Sequence, residues 1–166
     1  MRLWLVLFYC TRRQDRETAK SGVPKMKDIM LIDGYNFVYA FPAIAKIKEQ
    51  NLEHARDKLI DLLVNYSAFK GIKVILVFDA HFVPGQTSRE KIKDVEVVFT
   101  EEGETADSYI ERLTYSLVKK EQKVYVVTSD WAEQQVVLGA GAVRFSSREL
   151  GQEILMVKKE IEERID

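Results

Sequence analysis

The chain has one cysteine, Cys10, so it can form no internal disulfide and offers no cysteine cluster for zinc or an iron–sulfur centre. A reducing compartment, the cytoplasm, is the simple expectation. No apolar stretch approaches the ~20 residues that a membrane-crossing helix needs, so no membrane role is expected. Also missing are a glycine-rich phosphate loop of the Walker type and a Gly-x-Gly-x-x-Gly turn after the first strand, which counts against nucleoside triphosphatases and dinucleotide enzymes. No Gly-x-Ser-x-Gly elbow is present. Asp33 is followed by Gly34-Tyr35-Asn36, without a second aspartate two residues on, which counts against an aspartyl-phosphate enzyme. The sequence contains neither an internal repeat nor a low-complexity tract.

What remains is 166 residues, 46% apolar, enough for a single domain with a substantial core. The charge is unevenly spread. Residues 1–27 carry seven Lys and Arg against Asp15 and Glu17, whereas residues 28–166 carry 18 basic and 24 acidic side chains, a net of −6. An acidic body is not the footprint of a protein that coats nucleic acid by bulk electrostatics. Leu3 to Tyr9 is a short apolar run, but only Arg2 precedes it and no small-x-small site follows closely, so export is not expected. Residues 1–25 read as a poorly ordered N-terminal extension, with Met26 a candidate natural start, and 26–166 as the domain.

Strands and helices alternate along that domain. Lys27 to Ile32, Lys73 to Phe78, Val95 to Thr100, Val124 to Thr128 and Ala142 to Phe145 are apolar runs of strand length. Leu52, Ala55, Leu59, Leu62, Leu63, Tyr66 and Phe69 mark one face of a helix that Gly71 ends. Thr105 is the expected N-cap of a second helix carrying Ala106, Tyr109, Ile110, Leu113 and Leu117. Asp130 with Glu133, and Ser146 with Glu149, form capping-box patterns ahead of two more. The polar segment from His81 to Asp94, with Pro84-Gly85, reads as a loop. Strands separated by helices require crossover connections, hence a three-layer α/β/α fold with a largely parallel, doubly wound sheet.

Three of the apolar runs stop on an aspartate: Asp33, Asp79 and Asp130. Ligands of such sheets bind outside the carboxyl ends of the strands, where these residues fall. A fourth, Asp107, opens the second helix. Singly, each has another explanation, since aspartate caps helices, forms turns and complements the helix dipole. Together they go beyond capping, which needs only one carboxylate per helix. Crowded carboxylates repel, so one must protonate or a cation must enter. Hard divalent ions take oxygen ligands, and Mg2+ or Mn2+ among carboxylates and phosphates suits phosphodiester hydrolysis.

The motifs Asp33-Gly34-Tyr35-Asn36, Val77-Phe78-Asp79-Ala80-His81, Val98-Phe99-Thr100, Glu104-Thr105-Ala106-Asp107, Thr128-Ser129-Asp130 with Glu133-Gln134, and Gly139-Ala140-Gly141-Ala142-x-Arg144 with Glu149-Leu150 stand in order over residues 27–162. Together they resemble the YacP-like branch of the NYN nucleases. That resemblance implies a PIN-like fold, a Mg2+ or Mn2+ site and endoribonuclease activity on RNA, with mRNA at the bacterial ribosome as the implied setting. It also implies that Asp33, Asp107 and Asp130 hold the metal, with Asp79 as a fourth catalytic acid. Asn36 then orients Asp33 or a substrate phosphate. The N-terminal extension departs from the family pattern.

Further substrate-binding candidates are His81, Ser129, Arg89 and Lys91, each with a structural reading beside it. His81 lies in a polar loop, Ser129 suits a cap, and Arg89, Lys91 and Lys93 make the best basic patch of the body or an ordinary solvated charge run. Glu104 is a candidate outer metal residue or a solvated acid before a helix. Arg56, on the first long helix, is expected to pair with a neighbouring acid, with substrate contact as the other reading. Phe82, Tyr35 and Phe41 are candidates for stacking on a base or for burial. Against the nuclease stands a noncatalytic RNA- or ribosome-binding module of the same fold, for which four acids near RNA phosphate have no use. A small-molecule phosphohydrolase would need a deep closed pocket.

Overall fold

A computed structural model of the chain describes residues 26–80, 89–120, 122–129, 135 and 139–165. The expected N-terminal extension, His81, Phe82, Pro84-Gly85, Asp130 and most of the helix expected after it lie outside the described residues; Gln135 and Gly139 of that segment are helical. The elements in order are β1 (Ile29–Asp33), α1 (Gly34–Ala40), α2 (Pro42–Lys48), α3 (Leu52–Lys70), β2 (Lys73–Phe78), β3 (Arg89–Ile92), β4 (Val95–Phe99), α4 (Ala106–Val118), β5 (Val124–Val127), β6 (Val143–Phe145) and α5 (Ser147–Ile165). The strands form one sheet in the order β3-β4-β2-β1-β5-β6. Every pairing is parallel except that of β3 with β4. The α/β fold with a largely parallel sheet is therefore as expected.

The segment 81–94 is not all loop, because Arg89–Ile92 pairs antiparallel with β4 across a two-residue turn in which Lys93 takes φ 56°. Three of its four residues are exposed, so the strand has no apolar alternation to announce it. A short, charged edge strand of this kind discourages pairing with other chains. The helices α1 and α2 also lack a readable period, being seven residues each, with Pro42 opening the second.

Alternation along the strands divides the core into two layers. Met30 and Ile32 of β1, Val74, Leu76 and Phe78 of β2, and Tyr125 and Val127 of β5 pack with Phe37, Leu59, Leu63, Leu150 and Ile154 from α1, α3 and α5. Ile29 and Leu31, Ile75 and Val77, and Val124 and Val126 pack on the other face with Tyr109 and Ile110 of α4. Each large aliphatic side chain buried this way contributes about 1.5–3 kcal/mol. Both faces being covered explains why the central strands read as unbroken apolar runs. The caps fall where the sequence puts them. Gly71 ends α3 at φ 69°, Thr105 accepts from the Ser108 N–H, and Ser146 and Glu149 bond each other's N–H at 3.2 and 2.7 Å.

Gly34 is required by close packing. A Cβ there would press into three carbons of the Phe78 ring, which is fully buried and wedged between Tyr35 and Phe99. The ring has no room to yield. Gly34→Ala is accordingly expected to destabilise the fold by about 1–3 kcal/mol, the usual cost of overpacking. Urea unfolding measures this, and an unchanged midpoint would refute the packing argument.

Candidate active site at the carboxyl edge of the sheet

The order of the strands turns back at β1, with β2 on one side and β5 on the other, and this is the switch point where open α/β sheets bind ligands. Asp33 is the last residue of β1, and Asp79 directly follows β2. Strand parity decides more than the edge. Residues 29, 31 and 33 alternate onto one face, as do 75, 77 and 79, and that face is the one covered by α4. Asp107, in the first turn of α4, therefore meets the other two from above.

Asp33 and Asp107 are within hydrogen-bonding reach of each other, and Asp79 is near enough to act on Asp33 through its charge. Burial raises the Asp33 carboxyl from 3.8 to about 6. The N–H of Asn36, donated to Asp33 Oδ1 at 3.1 Å, opposes the rise, while Asp107 and then Asp79 add to it. Asp33 also serves as the N-cap of α1. Its geometry is thus fixed by strand, cap and helix together.

Asn36 ties this corner together. Its Oδ1 accepts the backbone N–H of Ser129 at 3.2 Å and the Ser147 hydroxyl at 2.8 Å, which joins α1 to the end of β5 and the start of α5. The side-chain oxygen is thereby spent on structure, and its NH2 remains as a donor. Asp79 is anchored in a similar way, since the Ala80 N–H bonds Thr100 Oγ1 and the Thr100 N–H bonds the Phe78 carbonyl. On the other face of the sheet, Arg56 of α3 packs its guanidinium 5.5 Å from the Phe99 ring centre and 6.0 Å from that of Phe78. It also adjoins the Tyr35 phenol, which burial raises and Arg56 pulls back. Its Nη1 is buried with no hydrogen-bond partner among the described residues. Sequence reading expected an ion pair for Arg56 and missed the aromatic shelf, because neither Phe78 nor Phe99 is near it in the chain.

The structure thus brings Asp33, Asp79, Asp107, Asn36 and Ser129 to one corner. Arg89 stands at the same edge of the sheet, opposite Val98, but is held by Tyr109 Oη at 2.9 Å and by Glu96 at 3.8 Å. Lys91 is not brought to the site, since its register partner Glu96 lies farther down the sheet from the edge. Glu104 pairs with Arg112 at 2.7 Å, which fixes it at the mouth of α4. Tyr35 and Phe41 are buried. His81 and Asp130 fall outside the described residues.

The donor set fits a hard divalent cation, because it consists of carboxylate oxygens whose mutual repulsion a cation relieves. Among the described residues no three acidic, histidine or cysteine side chains enclose an ion by themselves.

Residues 30–166 match the family profile of the YacP-like NYN domain. The YacP protein of Bacillus subtilis (strain 168) is 43% identical over 138 residues, covering 83% of this chain and 81% of its own. The crystal structure of Rae1 (YacP) from Bacillus subtilis superposes with a TM-score of 0.73 at 43% identity, over 83% of this chain and 79% of that one. A mutant form of it gives 0.72 at 41% identity, over 83% and 81%.

A carboxyl with a higher pKa folded than unfolded takes up protons on folding, so its contribution to stability falls as pH rises between 3.8 and about 6. Without divalent ion, Asp33→Asn, which keeps the cap and removes the charge, is expected to melt above the wild type at pH 7. The gap should close as the pH approaches about 4. Thermal melts across that range test this, and parallel curves would refute it.

Proposed function

The chain belongs to the YacP-like NYN domain family, a branch of the PIN-like nucleases, and from that membership we propose that it is a divalent-metal-dependent endoribonuclease. The observation that carries this reading is the gathering of the Asp33, Asp79 and Asp107 carboxyls, within electrostatic reach of one another, at the switch point of the sheet. Asp33, Asp107 and Asp130 would hold Mg2+ or Mn2+, with Asp79 as a fourth catalytic acid. When bound, such an ion draws in the phosphodiester and makes water a better nucleophile at neutral pH.

The protein's own groups do the rest. Burial, and Asp107 after it, raise the Asp33 carboxyl to about 6, so at neutral pH that carboxyl is mainly ionised and open to a cation. The Asn36 N–H holds Asp33 in place, and its NH2, with the neighbouring Ser129, offers hydrogen bonds to a phosphate oxygen. Arg56, beside the Tyr35 phenol, adds a positive charge behind the acidic corner. Arg89 at the sheet edge, together with His81, contacts the flanking strand.

RNA is the substrate class that the family implies, and mRNA on the ribosome is the setting we propose for it. The net charge of −6 over residues 28–166 supports this, because a body that repels phosphate gains from a partner that presents the RNA. The cytoplasm fits that setting, and no described helix is long and apolar enough to cross a membrane.

Cleavage of an mRNA, naked and on translating ribosomes, in Mg2+, Mn2+ or EDTA, tests the proposal. Asp107 is exposed and its side chain is not part of the core, so Asp107→Asn should fold normally and lose at least about a hundredfold in cleavage rate, the scale of a lost electrostatic contact at a reacting centre. Cutting equal to wild type, or cutting in EDTA, would overturn the reading. Retained ribosome binding with no cutting under any condition would favour a noncatalytic module instead.

A further inference from the structure

Tyr39 is the most exposed aromatic side chain among the described residues, at 58%. It sits on α1, the helix that Asp33 caps, one turn beyond Tyr35. Tyr35 is buried edge-on against Phe78, and its phenol feels Arg56, Tyr39 and Asp79. A continuous row therefore runs from the acidic corner outward to Tyr39. Along the axis of a helix this short, Tyr39 stands about 9 Å from Asp33.

The second observation is charge. Lys48, at the end of α2, places its Nζ 3.5 Å from the centre of the Tyr39 ring. From Gly34 to Lys48 the chain carries Lys46 and Lys48 and no acidic residue, in a body that is otherwise net negative. A cation held on one face of an exposed ring leaves the ring open to a flat partner, and the ammonium is on hand for that partner's phosphate. Aromatic rings with adjoining cations are how proteins hold unpaired bases without reading their sequence.

We propose that Tyr39, backed by Lys48, is a stacking platform for an unpaired base of the RNA strand that crosses the acidic corner, with Lys46 and Lys48 taking the neighbouring phosphates. This rests on the nuclease reading and adds to it the requirement that the RNA be single-stranded at a flanking nucleotide. Stacking draws on the π-face that every base has, so the platform selects unpaired strand over duplex and is indifferent to base identity. It also supplies the local attraction that the acidic body as a whole lacks.

The experiment uses the full chain carrying Asp107→Asn, so that RNA is bound and not cut, and a short single-stranded oligoribonucleotide containing 2-aminopurine, whose fluorescence is quenched on stacking. The expected result is quenching on binding, about tenfold weaker binding with loss of quenching in Tyr39→Ala, and binding within about twofold of the parent in Tyr39→Phe, in line with base–aromatic stacking. A fully paired duplex of the same sequence should bind no better to the parent than to Tyr39→Ala. Thermal melts confirm that each variant is folded, as the exposure of Tyr39 leads one to expect. Equal binding by Tyr39→Ala, an equal loss in Tyr39→Phe, or no binding of the oligoribonucleotide by the parent would overturn the platform. Failure of the nuclease reading looks different: there the Tyr39 effect on binding persists while Asp107→Asn cuts as well as wild type.

Discussion

The carboxyls of Asp33 and Asp107 lie within hydrogen-bonding reach of each other, and a protein brings two acids together only where the rest of the fold holds them there. Burial and like charge both disfavour ionisation, which is why the Asp33 carboxyl sits near 6. Several local features set this arrangement. Strand alternation turns Asp33 and Asp79 to the α4 face, the Thr105 cap starts α4 where its second residue meets them, and the Asn36 N–H fixes the Asp33 oxygen. None of these costs much alone. Their agreement is what keeps an electrostatically unfavourable corner in place.

Behind that corner is an aromatic block that leaves no slack. Phe78 stacks on Phe99 at 5.5 Å and meets Tyr35 at 5.0 Å, with Gly34 pressed against its ring and Arg56 over its face. Asp33 and Asp79 are attached to this block through Gly34 and Phe78, their neighbours in the chain. Close-packed interiors transmit small displacements instead of absorbing them. The geometry of this corner is therefore a property of the core as much as of its acids. Asn36 extends the same logic sideways, coupling the end of β5 and the start of α5 to α1 through one amide oxygen.

Much of this was readable in the residues. Helix α3 with its Gly71 stop, the Thr105 cap and the Ser146–Glu149 box follow from local chemistry that acts within a few residues, and they stand where expected. The shared edge of Asp33 and Asp79 was readable too, since each follows an unbroken apolar run. Their shared face was within reach but needed the parity of 31 with 33 and 77 with 79, which uniformly apolar strands disguise. The strand Arg89–Ile92 and the helices α1 and α2 were hidden for another reason. Their existence is decided by pairing and packing with distant partners, and a strand such as Arg-Glu-Lys-Ile carries no pattern of its own. The position of Arg56 over Phe78 and Phe99, and the double use of Asn36, likewise depend on contacts between elements far apart in sequence.

If the acids at the carboxyl edge of the sheet hold a divalent ion, that ion can be found in the protein itself. Diffraction from crystals grown with Mn2+, recorded at a wavelength where manganese scatters anomalously, locates such an ion without reference to activity. An anomalous peak between the carboxylates of Asp33 and Asp107 that disappears in Asp33→Asn is the expected result. An empty corner at saturating Mn2+, or a peak that survives the substitution, would contradict it.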